Sequence, residues 1–517
     1  MSIVSLPKTT FNLTVAPQPI ENSPQKVLFL GQQVTDTSTD RELITNIQPN
    51  GQEDTLFGRK SMLAAMIRAY RELDTINRVD AIPFNDAVGA VAATSTVTFV
   101  GTATASGTII FYIQSKVKFV FNVPVAVGDT DLILAAAFAS LVNTNDEILV
   151  SATDNLDGTV TLTVANEGTV GNFITIEQSG SVGGIVSSIT AFAGGTTDPT
   201  ITGAIFDQVG DTRYNTIVYP AQYDKSVIAT FLNNRFNPTN AIEDGVGVTS
   251  QTDTQVNLET EADSLNSQSM VLLGNKPVSS TNYEGSALFE YDPVISSYWA
   301  AIRSLRLTLG VNIPNFLIGP LLANNPVGGP RVAAIPYFNT PISTLATINT
   351  ANGWTRVEQN SLNDNGVSFA GNNIANNEVI EGQMVTTYLN NTQGQPDTSY
   401  KFLNTVDTGS QIREFFFNNN KNEYAQAVLT DGDVVASYQV NVDSFNAFQL
   451  SLYKLLSEDP YNLTVAGSDF YEFFKNNIQT TFDLASGTIT TVMIVPIVSQ
   501  VRAINGTVEI AFNVVTG

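Results

Sequence analysis

The 517-residue chain contains no histidine and no cysteine. Without them there is no Ser–His–Asp triad, no cysteine nucleophile and no zinc site of the usual ligands. Disulfides are excluded, so the redox compartment leaves no mark on the sequence. A histidine switch near neutral pH is excluded as well. Cations are scarce: 24 Lys and Arg stand against 48 Asp and Glu, a net charge of −24. A nucleic-acid binder needs a basic footprint, and an anionic membrane surface would repel this chain. Charged residues of both signs make up only 14% of the chain, against about 25% in ordinary soluble proteins. The acidity therefore reflects missing cations more than surplus carboxylates, unlike the densely charged surface of a halophile. Asn, Thr, Ser, Gln and Gly carry the polar load. Such uncharged groups lose less than ions when buried against a partner, which suits a protein packed against copies of itself. Secreted β-proteins share this composition.

No apolar run reaches the ~18 residues of a membrane span. The longest, Leu132 to Val142, is Ala-rich and predicts a buried helix. The start, MSIVSLPKTT, lacks the basic and apolar regions of a secretory signal, so synthesis in a cytoplasm is expected. No G-x-x-x-x-G-K-[ST] loop occurs, and Gly245 and Gly247 in EDGVGVTS lack the third glycine of a dinucleotide loop. Asp154, Asp157 and Gly158 fit a hairpin turn better than a calcium loop, whose spacing they miss. Adjacent carboxylates such as Glu53–Asp54 and Glu458–Asp459 fit exposed turns better than a glycosidase pair. No catalytic residue, cofactor or metal is expected.

With 43% apolar residues the chain can build real cores, and its length predicts three or four domains. Residues 9–16 alternate as a half-buried strand, with Phe11, Leu13 and Val15 on one face. Pro17, Pro19 and Pro24 follow as a stiff linker, so this strand is either an arm or an ordinary edge strand. Residues 58–84 predict a helix capped by Ser61, then a strand. Residues 94–197 predict short strands at regular spacing, interrupted by one helix. Residues 200–320 return to alternating strands and helices, with a helix beyond Asp292-Pro293. On it Arg303 and Arg306 face solvent or form ion pairs between subunits. Residues 336–380 predict a loop. Helices follow at 440–457 and 469–477, then a strand at 489–495. The last strand, 507–514, sets Val508, Ile510, Phe512 and Val514 on one face.

An ordered series of segments resembles a known family. LFGRKSMLAAMIRAYRELDTINRVDAIPF, TFVGTATASGTIIFYI, GNFITIE, GGTTDP and GDTRYNTIVYP are similar to the tail sheath proteins of contractile, Mu-like phages. AAIRSLRLTLG, NGVSF, MVTTYLNNTQGQPDTSYKFLNTVDT and VPIVSQVRAINGTVEIAF continue the resemblance nearly to the end of the chain. It implies a multidomain α+β or α/β fold. An inner core domain would use both chain ends, with terminal β-strand arms and inserted outer β-rich and α/β domains. The expected boundaries are 1–26 for the N-terminal arm and linker, 27–93 for the first α/β part and 94–197 for the β-rich insertion. The segments 198–345, 346–505 and 506–517 would follow as α/β middle domain, C-terminal core and C-terminal strand arm. The implied partners are other copies in stacked hexameric rings, the inner tail tube, and baseplate and tail terminator proteins, within a virion assembled in the host cytoplasm. Neither nucleic acid nor membrane insertion is implied. An extracellular β-rich adhesin and a carboxylate-based polysaccharide hydrolase remain the other readings.

Overall fold

The computed structural model describes residues 25–34, 37–236, 243–309, 345, 348, 352–373, 378–458 and 464–497. Phe11, Leu13, Val15, Val508, Ile510, Phe512 and Val514, the expected arm residues, lie outside the described residues. The chain is a mixed α/β structure with several sheets, divided into two compact units. Among the described residues one unit holds 25–411 and the other 412–497.

The first unit opens with β1 (Lys26–Gln32), β2 (Ile44–Ile47), α1 (Gln52–Phe57), α2 (Met62–Leu73) and β3 (Arg78–Phe84). An inserted run follows: β4 (Ala92–Gly101), β5 (Gly107–Ile113), β6 (Ser115–Val125), α3 (Asp131–Thr144), β7 (Val150–Asp154), β8 (Thr159–Glu167), β9 (Ile176–Ser179) and β10 (Ile185–Ile189). The chain returns through β11 (Thr216–Val218), α4 (Lys225–Arg235), β12 (Val246–Thr252), α5 (Gln255–Leu265) and β13 (Met270–Asn275). Then come β14 (Pro277–Ser280), β15 (Tyr283–Ser286), α6 (Asp292–Leu309), α7 (Arg356–Asp364), β16 (Val367–Ser368), β17 (Ala370–Asn373) and β18 (Glu378–Glu381). The division between units falls within α8 (Leu403–Glu423).

Seven strands form the main sheet in the order β16-β13-β12-β11-β1-β3-β2. All pair in parallel except β2. Strands covered on both faces must be apolar throughout, and Val27–Leu30 and Met270–Leu273 are buried without interruption. Helix α2 begins as its sequence predicts, with the Ser61 hydroxyl accepting from the Ala64 amide at 3.0 Å. Eight of its residues are buried, and it packs against α6. The strand order runs outward from β1 through β3, then reverses through β11. The switch point of this doubly wound sheet therefore lies between β1 and β11.

The insertion builds a four-stranded sheet, β10-β4-β8-β7, and a five-stranded sheet, β14-β15-β9-β5-β6. Phe138 of α3 packs between them on Phe99 and Phe111, with ring centroids 6.2 and 4.4 Å away. Asp157 and Gly158 form the β7–β8 turn, Gly158 at φ 85°, as the hairpin reading requires. Two expectations are corrected. The Ala-rich helix is only half-buried, since Leu132 and Ile133 are exposed. The expected loop at 336–380 contains α7, whose capping box joins Thr355 and Glu358, and β16, which extends the main sheet.

The second unit holds β19 (Val428–Leu429), β20 (Gln439–Val440), α9 (Val442–Ser457), α10 (Ser468–Asn476), β21 (Ile478–Asp483) and β22 (Thr488–Met493). Phe474 of α10 is fully buried and stacks on Tyr453 of α9, with centroids 4.4 Å apart.

Candidate assembly site

In an open α/β sheet a small ligand binds at the switch point, beyond the carboxyl ends of the strands. Here polar side chains and the end of β8 cover the carboxyl ends of β1 and β3, beside that place. Gln32, at the end of β1, is fully buried and donates to Asp86 Oδ1 at 2.7 Å and to the Glu167 carbonyl at 2.6 Å. Asn166 donates to the Gln33 carbonyl at 3.0 Å and accepts from the Met62 amide at 2.8 Å. Asp86 also accepts from the Glu167 amide at 3.0 Å. Burial pushes the Asp86 carboxyl above its usual pKa against the pull of these donors. The network ties the end of β8 to the carboxyl ends of β1 and β3.

The glycine pair is likewise used for packing. A Cβ on Gly245 would stand 2.0 Å from the Tyr214 carbonyl oxygen, and one on Gly247 2.9 Å from Met270 Sδ. These glycines let β12 approach its neighbours and form no phosphate cradle. Among the described residues no group of three or more His, Cys, Asp or Glu could hold a metal ion.

Arg303 and Arg306 do not form a solvated helix face. Both are buried within the first unit, at 5% and 1% exposure. Arg303 donates to Asp407 Oδ1 at 2.5 Å, to the Asn215 carbonyl at 2.7 Å and to Thr216 Oγ1 at 2.7 Å. For Arg303 the ion pair, given as the alternative to a solvated face, forms inside the chain. The signal was present in the sequence: DPVISSYWAAIRSLRLTL has no Lys or Glu to make a wet face.

The second unit offers a different kind of site. Strands β21 and β22 form a two-stranded antiparallel sheet, paired from Ile478↔Met493 to Asp483↔Thr488. Asp483 fixes the turn, accepting from the Ala485 amide at 3.0 Å and the Ser486 hydroxyl at 2.7 Å. The Ser486 hydroxyl bond and the turn amides hold this carboxyl below its usual pKa. One face, with Ile478, Thr480, Phe482, Ile489, Thr491 and Met493, is half-buried. Phe482 meets Phe445 of α9 edge-on at 6.2 Å, and Thr480 Oγ1 donates to Asn446 Oδ1 at 2.6 Å. The opposite face is exposed. Among the described residues no third strand pairs with the outer edge of either strand. Two strands alone are marginally stable in water, and open edges are templates for another strand. Between Ile478 and Met493 the one charged side chain is Asp483. The sequence reading placed a strand at β22 and missed β21, whose polar threonines dilute its alternation.

No family model matches the chain. A Mu-like prophage FluMu tail sheath protein of Haemophilus influenzae is 25% identical over 395 residues, covering 75% of this chain and 73% of that protein. The chain is therefore similar to a tail sheath protein over most of its length, as the ordered segments implied. Two solved structures align at low similarity. The sheath tail protein Lin1278 from Listeria innocua has a TM-score of 0.45 and 11% identity over 92% of each chain. The sheath complex of PVC, an extracellular contractile injection system, in its contracted state has a TM-score of 0.44 and 8% identity over 99% of each chain.

Proposed function

We propose that this chain is a tail sheath subunit, a structural virion protein without catalytic activity that polymerises around an inner tail tube. Copies stack as hexameric rings. The two-stranded sheet β21–β22 accepts the terminal strands 9–16 and 507–514 of neighbouring copies along its open edges. The observation that carries this reading is that, among the described residues, no third strand pairs with β21 or β22, in a chain whose two ends both alternate apolar and polar residues. Added strands gain backbone hydrogen bonds, and their alternate side chains fix the register. The apolar rows Phe11, Leu13, Val15 and Val508, Ile510, Phe512, Val514 then face the same way as Phe482 and Ile489. A head-to-tail contact that does not close on itself generates a helical polymer. Contraction is a change between two packings of these linked bodies, with its energy stored in the lattice, and it drives the tube through the host envelope. Tube, baseplate and terminator proteins are the remaining partners.

The test is microscopy and sedimentation of the full chain beside two variants. The full chain forms rings or tubes. Phe512→Asp sets a carboxylate in the buried row at a cost of several kcal/mol, and should give a folded subunit that stays unassembled. Glu509→Gln, on the other face, should assemble as the parent does. Full-length tubes from Phe512→Asp would rule out donation by the C-terminal strand. Loss of its circular dichroism would instead place that strand in its own subunit's core.

A further inference from the structure

The five-stranded sheet holds a cage of aromatic rings that the sheath reading does not use. Strand β9 runs between β5 and β15, and Glu177 pairs directly with Tyr112 on one side and Tyr283 on the other. Directly opposed residues share a sheet face, so the two rings flank one carboxylate. Phe289 completes the group. Its ring lies parallel to that of Tyr283, with centroids 5.6 Å apart, and edge-on to Tyr112 at 6.4 Å. Lys116, the second residue of β6, sets its ammonium over all three rings. Its Nζ stands 5.0 Å from the Phe289 centroid, 5.1 Å from Tyr283 and 5.9 Å from Tyr112. The same ammonium pairs with Glu177.

Ring faces are electron-rich, and three of them beside a carboxylate form a cradle for a cation. Tyr283 is buried and donates its hydroxyl to the Ser286 carbonyl, which fixes the ring. Burial pushes that hydroxyl above its usual pKa, and the Glu177 and Glu290 charges add to the effect, so the ring stays neutral. Lys116 fills this cradle poorly. Among the described residues Glu177 is the one acceptor that reaches its ammonium, so its other N–H donors are left to water. Each ring also stands beyond the ~3.5–4.0 Å of carbon contact by roughly one N–C bond length. Methyl groups on the nitrogen would fill those gaps and leave no donor unmet.

We propose that the cage is a binding site for a quaternary ammonium group, which displaces the Lys116 ammonium from the rings. The way in is an open cavity of about 400 Å³, lined by Lys116, Glu177, Tyr283 and Phe289 and by Ser280 and Asn282 of the β14–β15 hairpin. That volume lies within the ~300–1,000 Å³ of small-ligand sites. The Lys116 side chain is already partly exposed, so its ammonium moves into water. Glu177 exchanges one cation for another and is never left unpaired. Lys116 competes for the cage, and the apparent affinity of the ligand falls by the fraction of chains in which the cage is vacant.

The test is isothermal titration calorimetry of the full chain with choline at constant ionic strength. The parent should bind weakly and saturably. Lys116→Ala vacates the cage and should bind about tenfold more tightly. Lys116→Gln keeps more of the stem and makes the same comparison should Ala lower the melting temperature. Adding Tyr112→Leu to either variant removes one ring face and should weaken binding about tenfold. The neutral isostere of choline, with tert-butyl in place of trimethylammonium, should bind at least about tenfold more weakly than choline. Binding of free choline and sedimentation with phosphatidylcholine vesicles both support the site, and they separate a small solute from a lipid headgroup. Choline affinity no higher in Lys116→Ala and Lys116→Gln than in the parent would overturn the proposal. So would equal affinity for choline and its neutral isostere, which would make the cavity merely apolar.

Discussion

Replacing Asp407 by Asn removes one charge from a buried pair while keeping the shape of its acceptor. In the parent, Arg303 of α6 reaches Asp407 of α8 at 2.5 Å, and Asp407 is 2% exposed. The same guanidinium holds the Asn215 carbonyl, and Asn215 Oδ1 accepts from the Lys26 amide at 3.0 Å. The pair thus joins α6 and α8 to the entry of β1 and β11. Asn can still accept through Oδ1, so the loss is chiefly the compensating charge. Breaking a buried pair from one side costs about 3–5 kcal/mol, because the remaining ion stays desolvated. Replacing both partners, as in Arg303→Met/Asp407→Leu, should cost far less and could raise stability. The assay is urea unfolding of the unassembled chain, with tryptophan fluorescence reporting the first unit through Trp299 of α6. A loss under about 1 kcal/mol for Asp407→Asn, the range of an exposed pair, would refute the account. Unchanged subunit stability with lost assembly would return Arg303 to the subunit interface.

Two further outcomes follow from buried groups and close contacts. Asp292 is buried, and desolvation raises its pKa although it accepts from the Thr252 amide at 2.8 Å and Ser250 Oγ at 3.1 Å. A raised carboxyl contributes most below its unfolded value, and that contribution is lost as pH rises through the folded value. The stability of the parent relative to Asp292→Asn should therefore rise as pH falls through the raised folded value toward the ordinary carboxylate value of about 4; a pH-independent difference in urea midpoints would contradict this. Gly245→Ala drives a Cβ against the Tyr214 carbonyl and should cost about 1–3 kcal/mol, whereas Gly203→Ala, with no atom within 4 Å of the added carbon, should leave the melting temperature unchanged. Equal melts for both would show that β12 can shift away from Tyr214.

Local chemistry determined much of this protein without any tertiary knowledge. The 3.6-residue spacing of Met62, Met66 and Tyr70, with Ser61 before them, is sufficient for α2, because capping and amphipathicity act within one or two turns. Asp157-Gly158 specified its turn, because φ 85° is open to glycine at little cost. The missing histidine, cysteine and phosphate loop excluded whole classes of chemistry, and the ordered segments pointed to sheath proteins. Other features were decided by partners far along the chain. Strand β15 joins the insertion's sheet through Tyr283↔Glu177, more than a hundred residues away, and no local pattern encodes that choice. Gln32 and Asn166 read as ordinary polar residues until the fold brings them together at the ends of β1 and β3, 134 positions apart in sequence but sharing Asp86. Arg303 reads as a surface cation by residue type; the lack of Lys and Glu along α6 hints at burial but names no partner. Its partner lies 104 residues onward, and the folded chain buries both, with α6 packed on β11. Hydrophobic period and turn chemistry are set by neighbours in sequence. Whether a charge is solvated, and which strand edges pair, depends on which surfaces the folded chain brings into contact.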